Sequence, residues 1–444
     1  MTTHAVATGG TPTRRRLGWP KRIAFSIVTL ALMTAVVEGL TYLGYWAIIG
    51  RPFSWAEIQE QRDSVQRTVS QARSVVAQVH PYVGFVEDPR PDNGVMPFGG
   101  DKPVPVSSFG YFDDAPPLHK RSSDKVIVAI TGGSVACYFA INGTEALEAE
   151  LAQDPHFAGK RFEFVNLALG GYKQPQQLMT LSYLLSLGAE FDLVLNIDGF
   201  NEVGLYELEN AGQNIFPAFP RSWHARVEVA DPSMGRLMGK VEYLSEERLA
   251  KARAFSGFPW RYSVVSNVVW MLLDRRADWE IYSLKEGFWK SRPRLQRYVA
   301  TGPPSEFGST EELYEHLASI WENSSLQMDR LCRANGIRYV HVLQPNQYVA
   351  DSKPMGESER EIAVLKDHPY RHAAETGYPI LIRRGEELKR RGVHYLDLTR
   401  AFADHPGPIY VDGCCHYNKE GYELLARKIG AAIREDMKST PGPL

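Results

Sequence analysis

Val126-Ile-Val-Ala-Ile-Thr131-Gly132-Gly133-Ser134-Val135-Ala136 is the stretch on which the reading of this chain turns. Six residues dominated by β-branched side chains are too few for a helix and read as a buried strand, and the Gly-Gly-Ser that ends it reads as a tight turn into a helix. A serine in such a turn presents its hydroxyl at the carboxyl edge of a sheet, where open α/β folds place ligands, with its own N–H at a helix N-terminus. On this motif alone, ordinary capping chemistry explains the serine equally well.

Four more short apolar runs follow, at Phe162–Ala168, Asp192–Ile197, Ile337–Leu343 and Val393–Leu398. Helical periodicity is read in the intervals, over Thr144–Gln153, Gln176–Ser186, Ser309–Asn335, Ile380–Arg391 and Asn418–Met437. Strands alternating with helices predict an α/β fold: a three-layer α/β/α sandwich with a central parallel sheet over residues 121–444. The alternation lapses over about 202–308, longer than a crossover needs, so a large helical insertion is expected there. It carries Trp223, Trp260, Trp270, Trp279 and Trp289 and a helical run from Tyr262 to Arg276. Its aromatics suit a small core of their own, a cap over a substrate cleft, or a surface resting on a membrane.

Toward the N-terminus, Ile23–Gly50 holds one charged side chain, Glu38, and is long enough to cross a bilayer. The sequence thus predicts a basic segment 1–22, one transmembrane helix at 23–50, and a stalk helix with an irregular lead-in at 51–120. The stalk is read from Trp55 to Val79 and includes Val75 and Val76; the lead-in is rich in proline and glycine. Bulky residues to the end of the span argue for a retained signal anchor, with no small-residue cleavage site. Arg14, Arg15, Arg16, Lys21 and Arg22 precede the span and only Arg51 follows closely, which orients the N-terminus to the cytoplasm and the globular part to the periplasm. Inside the span, Glu38 needs a proton, interfacial water or a partner, a second membrane protein being one.

With 44% hydrophobic and 23% charged residues among 444, the chain can bury a large core and is neither disordered nor polytopic. Fifty basic against 52 acidic residues give a net charge of −2, so no basic field argues for nucleic acid. Four cysteines are too few for a disulfide scaffold. No nucleotide or haem fingerprint is present, and no cofactor is expected.

Far from Ser134 stands Tyr410-Val-Asp412-Gly-Cys414-Cys415-His416-Tyr-Asn418, an acid and a histidine on one short loop before the final helix. A serine hydroxyl needs a base to take its proton, and an imidazole serves better when a carboxylate fixes its tautomer. His341 and His394, by contrast, alternate within strands and read as core. Two further turns follow strands at the same edge: Asn166-Leu-Ala-Leu-Gly170-Gly171-Tyr172 and Asp198-Gly199-Phe200-Asn201-Glu202. A glycine N–H and an asparagine amide are suitable donors to a developing oxyanion.

These blocks resemble the SGNH (GDSL-like) hydrolases over about residues 120–436, apart from the insertion. Gly132-Gly133-Ser134 matches the nucleophile block, Gly171 the oxyanion glycine, Gly199-Phe200-Asn201-Glu202 the Gly-x-Asn-Asp block with Glu in its last place, and Asp412 to His416 the final block. The resemblance implies a flavodoxin-like sandwich and a serine esterase in which Ser134 attacks, His416 is base then acid, and Asp412 orients it. Ser134 N–H, Gly171 N–H and the Asn201 amide would hold the oxyanion. One departure stands out: three residues separate Asp412 from His416 where the family has two, so a bulge, a displaced Asp412 or a Ser-His dyad are open. The implied partner is an ester substrate, an acylated carbohydrate or lipid among the candidates. Two alternatives accompany the esterase: an O-acyltransferase acting on an envelope polysaccharide, and a non-catalytic assembly subunit. Assembly of the triad would also bring Cys137 near Cys414 and Cys415, so a disulfide from Cys137 to one of them is one expectation and buried thiols the other. Adjacent cysteines lack the ligand spacing of a zinc site, and no metal is expected.

Overall fold

The structure is a computed structural model that describes residues 18–74, 78–89, 104–227, 232–291, 298–366 and 368–439. Arg14, Arg15 and Arg16, Val75 and Val76, and the lead-in from Pro91 to Gly100 lie outside the described residues. Two compact units divide the chain: one takes residues up to Gln71 together with Leu237–Ser291, and the other takes the remainder.

The first unit is helical. Helix α1 (Trp19–Ile49) is apolar, long enough to cross a membrane, and its apolar window is unburied. Gly50 ends it in the left-handed region at φ 80°, its N–H donating to Trp46 O. Helix α2 (Trp55–Ser74) brings Ile58 into a small core with Tyr45, Phe53, Val264 and Trp270. Two long helices complete the unit, α8 (Pro232–Ser256) and α9 (Val264–Ser291). Arg62 is buried here with two of its guanidinium nitrogens paired: it donates to Asn267 Oδ1 at 2.5 Å and Gln59 Oε1 at 3.0 Å, and lies over the Trp270 ring. Glu38 also finds partners within this unit. Its carboxylate accepts Ser263 Oγ–H at 2.5 Å and the N–H groups of Val264 at 2.6 Å and Val265 at 3.2 Å, which caps the first turn of α9.

The second unit is α/β. A short hairpin, β1 (Gln78–His80) with β2 (Gly84–Val86), precedes five parallel strands: β3 (Lys125–Gly132), β4 (Arg161–Asn166), β5 (Leu193–Asp198), β6 (Arg338–Leu343) and β7 (Tyr395–Asp397). Their order in the sheet is β4-β3-β5-β6-β7. The chain therefore reverses its winding between β3 and β5, the crevice in which doubly wound sheets hold ligands. β5 is buried along its whole length and β3 at every residue after Lys125, as parallel strands covered on both faces must be. Helices α3 (Ser134–Asn142), α4 (Thr144–Leu151) and α14 (Lys419–Ser439) pack as one group, and α5 (Gln176–Ser186), α6 (Phe200–Leu205), α11 (Thr310–Ala334) and α13 (Pro369–Arg390) as another. Shorter helices are α7 (Trp223–Val227), α10 (Tyr298–Thr301) and α12 (Glu357–Ala363).

Three expectations change. The described part of the stalk helix is Trp55–Ser74, and Gln78–His80, where the helix was expected to run on, is a strand paired with Gly84–Val86. Helix α13 begins at Pro369, well before Ile380, and carries Pro379 inside it; a proline reads locally as a helix start, and here tertiary packing overrides that signal. The segment read as one insertion divides, Leu237–Ser291 belonging to the unit that contains α1 and its flanks staying with the sheet.

Candidate active site

The nucleophile and the candidate oxyanion donors hang on strand ends, and the acid and base on the loop before α14. β3 runs through Gly132 into Gly133 and then α3, so Ser134 opens the helix and its N–H is among the first-turn donors that have no intrahelical acceptor. Gly133 is there for space: a Cβ on it would lie 2.1 Å from Asn201 Nδ2 and 3.1 Å from Tyr172 O. The Asn201 amide is thus brought against the nucleophile turn, where it donates to Tyr172 O at 2.8 Å. Gly171, in the turn after β4, has φ 81°, a left-handed conformation that glycine adopts without strain.

His416 stands between Ser134 and Asp412. Its Nε2 is 2.7 Å from Ser134 Oγ and its Nδ1 is 2.5 Å from Asp412 Oδ2. The extra residue between acid and base is absorbed locally: Asp412 Oδ1 accepts the N–H groups of Cys414, Cys415 and His416 at 2.9, 3.1 and 3.3 Å, while Val411 N–H donates to His416 O and Asn418 N–H to Ile409 O. A displaced Asp412 is not what forms. Burial pushes the Asp412 carboxyl up, but the hydrogen bond and charge of His416 and the backbone donors outweigh it and leave it below its ordinary value. The imidazole is mostly covered, with Tyr138 edge-on to it at 5.2 Å between centroids.

Several supports have no sequence motif. Gln347 Nε2 donates to Asp412 O, and Tyr348 Oη to Gly413 O, so the segment after β6 braces the loop from below. Glu359 accepts the N–H groups of Ile409 and Tyr410 at 2.7 and 2.8 Å and pairs with Lys353 at 2.6 Å, both side chains being buried. Arg221, held by Glu209, lies against Gly171, where a Cβ would meet its Cδ at 1.9 Å. Glu202, the last residue of the Gly199-Phe200-Asn201-Glu202 turn, ties two turns together: it accepts Gly199 N–H at 2.9 Å and Gln174 N–H at 3.0 Å. Burial and the nearby Asp198 carboxylate push its carboxyl up to about 8.

The four cysteines are thiols. The expected bridge from Cys137 to Cys414 or Cys415 does not form: Asn166 Nδ2 lies 3.5 Å from Cys137 Sγ, and the sulfur beside Cys415 is that of Cys414 at 3.3 Å. Burial pushes the Cys137 thiol up to about 12. Cys414, Cys415 and His416 place candidate ligand atoms within 4.8 Å of one another. A metal there would take from His416 one of the two hydrogen bonds just described, and the three residues are consecutive, unlike the spaced ligands of tetrahedral sites.

A second Ser-His-Asp chain lies inside the fold. His341 joins Ser325 Oγ at 2.7 Å and Asp198 Oδ1 at 2.8 Å, and Trp321 Nε1 donates to the same carboxylate oxygen. Asp198 is 2% exposed and His341 0%, so no substrate reaches them, and this network is core polarity fully satisfied. His394, read alike, is partly buried and faces Asp436 at 3.2 Å.

No protein-family model matches the chain, and no curated protein matches it.

Proposed function

We propose that the protein is an SGNH-type serine esterase, anchored by α1 with its globular part outside the cytoplasm, that cleaves acyl or acetyl esters through an acyl-enzyme. The observation that carries this reading is the unbroken run of hydrogen bonds from Ser134 Oγ through His416 to Asp412 at the carboxyl edge of a parallel sheet. His416 Nε2 takes the proton as Ser134 Oγ attacks the carbonyl carbon. The oxyanion forms beside Ser134 N–H, Gly171 N–H and Asn201 Nδ2. Collapse breaks the ester bond and His416 returns the proton to the departing alcohol oxygen; water then repeats the sequence on the acyl-serine and regenerates the hydroxyl. A lengthened Asp412–His416 interval would favour a non-catalytic assembly subunit, and the hydrogen bond closed across that interval weighs against it.

The test is active-site labelling. The full chain in detergent should react with a fluorophosphonate probe, and Ser134→Ala should abolish the labelling. A folded wild-type chain that takes up no probe overturns the reading. Supplying an oligosaccharide with an acetyl ester then tells hydrolysis from acetyl transfer by where the acetyl group appears.

A further inference from the structure

The turn Gly257–Ser263 joins α8 to α9 and is bound to α1 through the Glu38 carboxylate. The uncharged run of α1 up to that point, Ile23–Val37, rises about 22 Å, most of the way across the ~30 Å hydrocarbon core of a bilayer. Lys21 and Arg22 stand at its start, and beyond Glu38 charge resumes in Arg51 and Glu57, which pair at 2.5 Å. Glu38 therefore lies in the outer part of the span, toward the leaflet on the globular side, and the turn bound to it sits at that same level.

Its composition fits that place. Phe258 is 83% exposed, Trp260 54% and Tyr262 57%, and Trp55 joins them by donating Nε1–H to Tyr262 O at 3.2 Å. Four large rings left open on one small patch are unusual for a surface bathed in water. Arg261 lies over the Tyr262 ring, and a cavity of about 500 Å³ opens between Trp55, Gln59, Arg62, Arg261 and Tyr262. Rings with a polar edge beside guanidinium groups are the chemistry of a headgroup layer, where Trp and Tyr concentrate and cations meet lipid phosphate.

We infer that the Gly257–Ser263 turn, with Trp55, is a second membrane contact that docks into the headgroup layer of the leaflet on the globular side, held at that depth by Glu38. The inference rests on the anchored reading of α1. The partner is the lipid surface.

The test uses the full chain in vesicles of dioleoylphosphatidylcholine and dioleoylphosphatidylglycerol. A Cys414→Ala background leaves the three buried cysteines in place, and a fluorescent label is put at Phe258→Cys, Tyr243→Cys or Leu30→Cys. The label at 258 should be quenched by shallow nitroxide lipids several-fold more than the label at 243, and by aqueous iodide several-fold less. If 258 is as open to iodide as 243 while 30 is quenched by deep nitroxide lipids, the docking turn is refuted and the anchor stands. If 30 is not quenched by lipid, the anchored reading fails and the turn fails with it. Lipid quenching of intrinsic fluorescence in Trp260→Phe, which introduces no label, should fall relative to wild type; no change would count against the inference.

Discussion

Asp412 Oδ2 lies 2.5 Å from His416 Nδ1 while Asp412 Oδ1 gathers the N–H groups of Cys414, Cys415 and His416. One carboxylate orients the imidazole and folds the loop that carries it. Asp412→Asn keeps an acceptor for the loop but turns an amide toward Nδ1. Its kcat on an acetyl ester should fall by roughly 10²–10⁴-fold with little change in amide exchange over residues 413–416. Asp412→Ala should lose activity as far and also exchange faster there. Unchanged kcat in both variants would remove Asp412 from the mechanism.

Glu202 gives a pH dependence with a definite sign. Its carboxyl holds its proton in the folded chain up to about 8 against an ordinary value of 4.5. Between those values the unfolded chain binds fewer protons than the folded one, so stability falls as pH rises through the window. Glu202→Gln is neutral throughout. Urea denaturation at pH 5 and pH 8 should show the variant gaining on wild type at the higher pH, by up to a few kcal/mol. A difference that does not move with pH would mean that Gly199 and Gln174 N–H hold the carboxylate ionised.

Lys353 and Glu359 are a buried pair, and Glu359 is also the acceptor for two N–H groups just before the histidine loop. Glu359→Ala leaves an ammonium without its partner and should cost about 3–5 kcal/mol in denaturant unfolding. Lys353→Met with Glu359→Gln should cost markedly less. Equal losses would show that the pair's charge is not what matters.

Removing the Glu38 carboxylate strips three donors at the start of α9 of their acceptor. Glu38→Ala should destabilise that turn by about 1–2 kcal/mol, read as faster exchange of the Val264 and Val265 amides in detergent. Glu38→Gln, which keeps one acceptor oxygen, should fall between. Identical exchange in all three would dissociate Glu38 from the cap.

Thiol accessibility should follow burial. Cys137, Cys332 and Cys415 are enclosed and Cys414 is partly open. Iodoacetamide at pH 8 should modify Cys414 first in the native chain and all four after denaturation. Fewer than four alkylated sites in the non-reduced, denatured protein would reveal a disulfide.

Much of the sheet was legible because a buried parallel strand writes a local signal, a short β-branched run closed by glycine. The residues of the candidate triad were legible for a related reason: Gly-Gly-Ser, Gly-Phe-Asn-Glu and Asp…His each sit at a strand end or loop whose geometry demands them. Gln347, Tyr348, Glu359 and Arg221 were not, since each acts on a loop distant in sequence and is an ordinary residue in its own neighbourhood. His341 shows the converse. With Ser325 and Asp198 it makes a chain of the same residue types, and only depth of burial tells it from the open one. The grouping of Leu237–Ser291 with α1 was invisible because no periodicity records a partner two hundred residues away.

The cap on α9 also bears on how the chain is made. Glu38 and its Ser263 partner are 225 residues apart. A ribosome delivering an anchored chain would place the acid at the membrane long before its donors exist, and the strands and helices of the sheet's first half would emerge in between. If the globular part is exported as proposed, closing that contact would wait on export of the intervening chain.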